Sequence, residues 1–189
     1  MENKIILLTG VRGSGKDHFA QELKSHYESL GYFCPIIGFS DGVRDYCWKA
    51  LGWVPEDDFE YEKFKGSKIS LNVSGKEHSF TGREFLTRIG DDVMKDYDPL
   101  VWCNVWGRKF DEVIFYHNVK TVCIVNDLRH REEYFEVKRK GVDSIVYFCD
   151  HKSHRYEISD HPTERLANKL RLVGFKDRQD ITNEIIKYL

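Results

Sequence analysis

The chain has 189 residues, of which 41% are hydrophobic and 32% charged, as in an ordinary globular domain. A formal net charge of -2 provides no general electrostatic basis for binding nucleic acid or an anionic membrane. No apolar run approaches the roughly 18 residues of a membrane span, and no signal peptide is evident. The five cysteines form no C-x-x-C pair, which favours a reducing compartment over disulfides or a zinc site. We therefore expect one cytoplasmic domain, residues 1–189, that binds neither nucleic acid nor membrane.

Strand and helix patterns alternate along the chain. Strand-like apolar runs cover residues 5–8, 34–38, 121–125 and 144–148, with a weaker run at 170–173. Helical patterns cover residues 16–30, 42–51, 82–95, 99–113, 130–140 and 177–189. This alternation predicts an α/β three-layer sandwich, in which helices flank a parallel sheet of about five strands. In such a fold the ligand binds at the carboxyl ends of the strands.

The most specific motif is G-x-x-x-x-G-K at residues 10–16, between the first predicted strand and the first predicted helix. Its glycines allow the backbone to approach a phosphate chain, and Lys16 adds a point charge at the β- and γ-phosphates. The motif predicts binding of a nucleoside triphosphate. The predicted contacts are Gly10, Val11, Arg12, Gly13, Ser14, Gly15, Lys16, Asp17 and His18. The alternative is a glycine-rich turn that Asp17 caps at a helix start.

Two carboxylates are candidate ligands of Mg²⁺. Asp17 stands where the motif usually has Ser or Thr, whose hydroxyl binds Mg²⁺, and a carboxylate is also a hard oxygen ligand. Asp127 follows the third predicted strand and is a candidate for orienting Mg²⁺, for orienting the substrate or for acting as a base. Arg129 suits a bidentate grip on phosphate, so Lys16, Asp127 and Arg129 are the catalytic candidates. The alternative for Asp127 and Arg129 is an ion pair on the surface of a turn.

Phosphoryl transfer needs cations and polar groups around the transferring group. Ser40 and Arg44 follow the second predicted strand, and Arg83 lies at the start of a predicted helix, so we expect them to contact a substrate. The alternatives are a helix cap for Ser40 and solvated charges for the two arginines. Thr81 and Glu84 have the spacing of a capping box at the start of the same helix.

Two longer stretches have no clear period. Residues 54–79 are first acidic and then basic, which predicts a loop or short hairpin that is an insertion or lies on the acceptor side. Residues 150–169 are polar and cationic, which predicts a lid that excludes water from the triphosphate. His161 and Glu164 lie in this second stretch and are candidate substrate residues, the alternative being simple solvation.

Five segments occur in order along the chain. They are Gly-Lys-Asp at 15–17, Gly-Arg-Glu-Phe-Leu-Thr-Arg-Ile-Gly-Asp-Asp at 82–92, Trp102, Asn-Asp-Leu-Arg at 126–129 and His-Pro-Thr-Glu at 161–164. Together they resemble the phage-type deoxynucleoside monophosphate kinases. The resemblance implies a P-loop kinase fold and transfer of the γ-phosphoryl group of ATP to a deoxynucleoside monophosphate, with Mg²⁺. Its partners would be small molecules, and the resemblance also allows a homodimer. If the protein is viral, it would act in the host cytoplasm.

The same resemblance implies roles for particular residues. Residues 10–17 would bind the ATP phosphates. Arg44, Arg83 and Arg129 would hold the phosphate of the acceptor, and Asp127 would orient Mg²⁺ or substrate. His161 and Glu164 would belong to the region that closes over the site.

Two alternatives stay open. Animal-type phosphomevalonate kinases are also similar, because they carry a Gly-Lys-Asp loop and an Asp-x-Arg after a strand. Their acceptor has no base, whereas residues 39–64 here are rich in aromatic rings, which favours a flat base as acceptor. The rings are Phe39, Tyr46, Trp48, Trp53, Phe59, Tyr61 and Phe64. The other alternative is a nucleotide-binding switch protein without rapid turnover, although the chain has no N-K-x-D-like guanine motif.

Overall fold

The computed structural model describes residues 3–116, 119–151 and 164–189. The chain divides into two compact units, a first formed by Met1–Phe39 with Cys103–Leu189 and a second formed by Ser40–Trp102. In the first unit the elements are β1 (Lys4–Thr9), α1 (Lys16–Ser29), β4 (Val122–Val125), α7 (Arg131–Arg139), β5 (Asp143–Phe148), α8 (Arg165–Val173), β6 (Gln179–Asp180) and a 3₁₀ turn (Ile185–Lys187). In the second they are α2 (Ser40–Leu51), α3 (Asp58–Gly66), β2 (Lys68–Val73), β3 (Lys76–Thr81), α4 (Gly82–Thr87), a π-helical turn (Arg88–Val93) and α5 (Met94–Tyr97). Helix α6 (Val101–Tyr116) begins in the second unit and continues in the first.

Within the described ranges no helix combines the length and the apolarity needed to cross a membrane.

The first unit is built on a four-stranded sheet with the order β4-β1-β5-β6. Strand β1 is parallel to both β4 and β5, and β6 pairs antiparallel with the end of β5. Side chains of β1 alternate between two core clusters, with Ile5 and Leu7 in one and Ile6 and Leu8 in the other. All four are fully buried, as expected for a central strand with both faces covered.

Helices cover the two faces of this sheet. On one face Ala20 of α1 is buried against Ile6 and Leu8. On the other face α6, α7 and α8 contribute Trp106, Val137 and Leu170 to the cluster of Ile5 and Leu7. Burial of each such large apolar side chain contributes about 1.5–3 kcal/mol. The predicted α/β three-layer arrangement is therefore confirmed for this unit.

The sheet differs from the prediction of about five parallel strands, because it has four strands and is mixed. The predicted strand at 34–38 forms only parallel bridges from Phe33 and Ile36 to the β4 side. The N–H groups of Phe33 and Ile37 and the carbonyl of Pro35 all bond across to this side. Pro35 has no N–H group, so the donor that would continue the ladder between these bonds does not exist. The segment therefore pairs along β4 without forming a regular strand.

Two predictions near the C-terminal end of the sequence were wrong. Residues 170–173, predicted as a weak strand, complete helix α8, whose buried residues Leu166, Ala167 and Leu170 follow a helical spacing. Residues 177–189, predicted as a helix, instead form β6 and the 3₁₀ turn. Ile181 donates its N–H to the Val146 carbonyl at 2.9 Å, and Val146 donates to the Thr182 hydroxyl at 2.9 Å. These bonds to the edge of β5 replace the hydrogen bonds of a helix.

The second unit has its own aromatic core. Cys47, Trp48, Phe64 and Phe85 are buried together, and the rings of Trp48 and Phe64 meet edge to face with centroids 5.0 Å apart. The short hairpin predicted within 54–79 is confirmed as β2 and β3, which pair antiparallel. Helix α3 was not predicted, although its start has a local signal. The Asp57 carboxylate accepts a hydrogen bond from the N–H of Glu60 at 2.8 Å.

The predicted helix at 82–95 is interrupted. Its start is confirmed as a capping box, in which Thr81 donates its N–H to the Glu84 carboxylate at 2.6 Å. Beyond α4 the backbone widens into the π-helical turn, where i→i+4 hydrogen bonding is lost. The Trp102 indole donates to the Gly90 carbonyl in this turn at 2.8 Å. This buried bond supplies a donor to a carbonyl of the irregular segment.

We expect Trp106→Phe to destabilise the protein by about 2–3 kcal/mol, because it removes buried apolar surface and the hydrogen bond from the indole to the Ile37 carbonyl. Trp106 is 1% exposed and stacks between Phe39 and Phe110. Trp53→Phe, at a ring that is 40% exposed, is the matched control and should cost less than about 1 kcal/mol. Urea denaturation measures both changes, and equal losses would contradict the assignment of Trp106 to the core.

Candidate phosphate-binding site

The glycine loop, residues 10–16, joins β1 to α1 at the carboxyl end of the sheet. Gly13 and Gly15 have left-handed backbones with φ of 71° and 81°, a conformation that costs glycine nothing. A Cβ atom on Gly10 would lie 2.2 Å from the Cys149 carbonyl oxygen, so the loop passes directly against the chain that follows β5. The loop therefore needs glycine at all three positions, twice for the turn and once for the close approach.

The Lys16 side chain is buried within this loop and is 9% exposed. Its ammonium donates to the carbonyls of Gly10 and Val11, each at 2.7 Å, and to the Ser14 hydroxyl at 3.4 Å. Burial, and after it the positive charge of Arg129, lower the pKa of Lys16 to about 8. The carboxylate of Asp17 acts in the opposite direction. A cation is thus held at the centre of the loop, in surroundings that favour the arrival of negative charge.

Asp127 is buried just after β4 and is 7% exposed. Its carboxylate accepts a hydrogen bond from the N–H of Phe39 at 2.9 Å. The next residue, Leu128, donates its N–H to the Leu8 carbonyl at 3.1 Å. Asp127 therefore fixes the ends of neighbouring chain segments at the edge where the glycine loop begins.

Asp17 is tied to this same edge by a residue to which the sequence reasoning gave no role. The Asn126 amide donates to the Asp17 carboxylate at 2.6 Å, over a separation of 109 residues. Asp17 lies in the first turn of α1, and Asn126 follows β4. The local signal for Asn126 was its place beside Asp127 after a strand, but nothing local indicates which side chain it contacts.

Arg129 lies half-buried after β4, and its charge is close enough to lower the Lys16 pKa. Glu133 holds the backbone there, because its carboxylate accepts from the N–H of Arg129 at 2.7 Å and from that of His130 at 2.9 Å. Glu133 is itself buried in the first turn of α7. Sequence reasoning missed it, although an acidic residue three positions into a helix is a signal for such a bond.

Two described residues of the predicted lid contact the glycine loop. The N–H of His151 donates to the Ser14 carbonyl at 3.3 Å, and Glu164 contacts Arg12. The Glu164 carboxylate accepts from the N–H of Arg12 at 3.0 Å, across 152 residues of chain. His161 and residues 152–163 lie outside the described ranges, so the lid stays a prediction there. Residues 165–169 belong to α8, where Leu166 and Ala167 are buried.

A recess adjoins the glycine loop in the first unit. It is lined by Ser14, Gly15, His18, Phe19, Cys149, His151, Asp177 and Arg178. The Arg178 guanidinium lies 4.6 Å from the centre of the Phe19 ring and 2.7 Å from the Glu22 carboxylate. Arg178 has a left-handed backbone with φ of 57°, which is uncommon outside glycine. A flat cationic group and an aromatic ring are thus held together beside the loop.

The remaining candidates lie in the second unit. Ser40 is the first residue of α2 and Arg83 the second of α4, and both are half-buried. Arg44 is paired with Asp41, and its guanidinium lies 5.7 Å from the centre of the Tyr61 ring. Their contact with a substrate stays a prediction.

Comparisons with known proteins assign no family. No family model matches the chain, and no curated protein matches it in sequence. Among solved structures, the chain is similar to a cysteine-to-alanine mutant of the APS kinase CysC from Mycobacterium tuberculosis. The identity is 11%, the TM-score is 0.42, and the alignment covers 92% of this chain and 98% of that one. A similarity at this level leaves both family and function to be argued from the site itself.

We expect the affinity for a triphosphate to fall as the pH rises above 8, because the protonated form of Lys16 binds anions and its pKa is about 8. The loss should approach about tenfold per pH unit until the raised pKa of the complex is reached. Lys16→Arg keeps its charge throughout this range and should show no such slope. Calorimetric titration with ATP in two buffers of different ionisation enthalpy measures the accompanying proton uptake. Equal slopes for the two proteins would contradict the lowered pKa.

Proposed function

We propose that this protein is an ATP-dependent phosphotransferase that transfers the γ-phosphoryl group of ATP to a deoxynucleoside monophosphate. The observation that carries the proposal is the buried Lys16 ammonium inside a glycine loop between β1 and α1. A glycine-rich turn that serves only as a helix start has no need of a buried cation at its centre.

The glycine loop supplies positive potential for the phosphates of ATP. The first N–H groups of α1 have no carbonyl partner within the helix, and the helix dipole adds to their positive potential. Lys16 contributes a full charge, and phosphate oxygens are stronger acceptors for its protons than the carbonyls of Gly10 and Val11. Negative charge that develops during transfer would be stabilised by groups already in place, without reorganisation.

The carboxylates present fit a Mg²⁺ ion that is bound together with phosphates. The described residues contain no group of three or more His, Cys, Asp or Glu side chains able to hold a metal ion. Mg²⁺ is commonly bound by one or two carboxylates together with substrate phosphates and water, and there it neutralises charge on the β- and γ-phosphates. Asp17, at the end of the loop, would be the ligand nearer to the phosphates. Asp127 would act from the end of β4, directly or through water.

The recess beside the loop is lined by two groups of the kind that stack on the base of a nucleotide. Phe19 offers a ring and Arg178 a guanidinium plane, and both types of group stack on bases. The recess also includes Ser14 and Gly15, so these two groups lie beside the residues that would bind the phosphates.

Arg129 would hold the phosphate of the acceptor. Glu133 fixes the backbone at Arg129. The charge of Arg129 is close enough to Lys16 to lower the Lys16 pKa, so the two cations would act on the same phosphates. A guanidinium grips phosphate through two parallel hydrogen bonds, which would align the attacking oxygen with the γ-phosphorus. The choice of a deoxynucleoside monophosphate rests on the ordered motifs. Ser40, Arg44 and Arg83 are further candidates for contacts with this acceptor.

The aromatic rings that favoured a base as acceptor have a second explanation. Trp48 and Phe64 are buried in the core of the second unit, and Phe39 in that of the first. The acceptor of a phosphomevalonate kinase, which has no base, therefore belongs in the test of the proposal.

A coupled assay of ADP release tests the proposal. ATP and Mg²⁺ would be supplied with dAMP, dGMP, dCMP, dTMP, their ribose forms or phosphomevalonate. We expect turnover that depends on one or more deoxynucleotides, and Lys16→Ala should remove most of it while leaving the overall fold intact. Turnover with phosphomevalonate alone would replace the acceptor in the proposal. Tight ATP binding with slow turnover that no acceptor accelerates would favour a switch protein.

We expect Arg129→Ala to lower kcat/KM for the acceptor by roughly 10- to 1000-fold, because a charged bidentate contact to phosphate is lost. Arg131→Ala is the matched control. Arg131 is exposed two residues further along and stacks on Phe135. Its removal should change kcat/KM by less than about twofold. Identical kinetics for the two variants would remove Arg129 from the site.

A further inference from the structure

We propose that Asn126 is a positioning residue, whose amide orients the Asp17 carboxylate so that one carboxylate oxygen is directed to a divalent cation. The hydrogen bond from Asn126 Nδ2 to Asp17 Oδ1 is 2.6 Å long and joins the end of β4 to the first turn of α1. The inference rests on the proposed function for one point, namely that the cation binds together with nucleotide phosphates.

The orientation of the amide follows from chemistry. An ionised carboxylate only accepts hydrogen bonds, so the nitrogen of the Asn126 amide has to face Asp17 and its oxygen has to face away. On the other side of the amide lies Gly38, where a Cβ atom would be 3.0 Å from Asn126 Oδ1. The same Cβ atom would lie 2.9 Å from Asp127 Oδ2. The absence of a side chain at Gly38 therefore leaves room for both polar groups that follow β4.

The backbone on either side of Asn126 is fixed. Val125 is the last residue of β4, fully buried and paired in register with Leu7 of β1. On the other side Asp127 is held by the Phe39 N–H, and Leu128 by the Leu8 carbonyl. The amide of Asn126 therefore projects from a rigid support, which is the condition under which a short side chain can orient another.

Asp17 needs such support because of where it lies. It is exposed at the start of α1, where a carboxylate without a hydrogen-bond partner would rotate about its two side-chain bonds. The neighbouring Lys16 directs its protons to Gly10, Val11 and Ser14 within the loop. With Oδ1 engaged by Asn126, Oδ2 has a restricted direction. A pre-oriented ligand binds a cation with a smaller loss of conformational entropy, and loss of groups that orient ligands commonly weakens metal binding by about 10- to 100-fold.

The test measures cation binding directly. Mn²⁺ is titrated into protein and ADP, and free Mn²⁺ is followed by electron paramagnetic resonance. For Asn126→Ala we expect the dissociation constant of Mn²⁺ to rise at least about tenfold, while ADP binding without metal and the melting temperature stay unchanged. Asn104→Ala, at an exposed asparagine of α6, is the matched control and should leave all three unchanged. The Mg²⁺ concentration for half-maximal turnover should rise in parallel for Asn126→Ala alone.

A double-mutant cycle separates positioning from other effects. In an Asp17→Ala protein, Asn126→Ala should cause no further loss of Mn²⁺ affinity, since the residue on which it acts is gone. Additive losses in the double variant would overturn the proposal. If Asn126→Ala does not fold, Asn126→Ser keeps a polar group too short to reach Asp17 and should give the same weakened Mn²⁺ binding.

The two proposals fail in different ways. Normal Mn²⁺ affinity in Asn126→Ala, with turnover intact in the unmodified protein, would overturn the role of Asn126 and leave the proposed function standing. Absence of ADP and Mn²⁺ binding in the unmodified protein would overturn both.

Discussion

The burial of one ammonium group is the constraint on which the glycine loop depends. A lysine ammonium has three protons, and leaving them unpaired away from water is costly in free energy. The carbonyls of Gly10 and Val11 and the hydroxyl of Ser14 accept them only because the loop folds back over the start of α1. That path requires the left-handed backbones of Gly13 and Gly15. The loop conformation and the buried cation therefore determine each other, and a change to either affects both.

The sheet extends this constraint to the neighbouring strands. Thr9 accepts a hydrogen bond from the N–H of Cys149 at 2.7 Å, and Leu8 accepts one from Leu128 at 3.1 Å. Both bonds lie at the ends of strands, where regular pairing stops. They hold the chain segments after β4 and β5 against the first residues of the glycine loop. Groups on these segments, such as Asn126, therefore have fixed positions relative to Lys16, which the proposed phosphoryl transfer would require.

Local patterns predicted much of this arrangement. The glycine motif, strands β1, β4 and β5, and the capping box at Thr81 all have signals within about ten residues, and the structure contains each of them. Elements whose form is set by distant partners were predicted less well. The segment after Arg178 pairs with β5 rather than forming the predicted helix, since Ile181 bonds to Val146. The predicted strand at 34–38 forms only isolated bridges, because Pro35 lacks the N–H group that would continue the ladder.

The site residues follow the same division. Lys16 and Asp17 were predicted as candidates because the motif is local, whereas the contacts of Asn126, Glu133 and Glu164 were not predicted. The contacts of Asn126 and Glu164 span 109 and 152 residues, and no periodicity in one sequence encodes such a pairing. Asp127 was predicted as a candidate from its position after a strand. Its hydrogen bond to Phe39 shows that it also supports the fold, so loss of activity in an Asp127 variant would not by itself establish a role in chemistry.

The aromatic residues show why composition is a weak guide to an acceptor. A ring that stacks on a base needs an accessible face, and Trp48 and Phe64 have almost none because they form the core of the second unit. Among the aromatic residues at 39–64, the most exposed are Tyr46, Trp53 and Phe59, at 47%, 40% and 75%. These rings are therefore better candidates for stacking on a base than Trp48 and Phe64. The candidate phosphate contacts, Lys16 and Arg129, belong to the first unit. Under the proposed function, binding of phosphates and recognition of the acceptor's base would therefore use separate sets of residues.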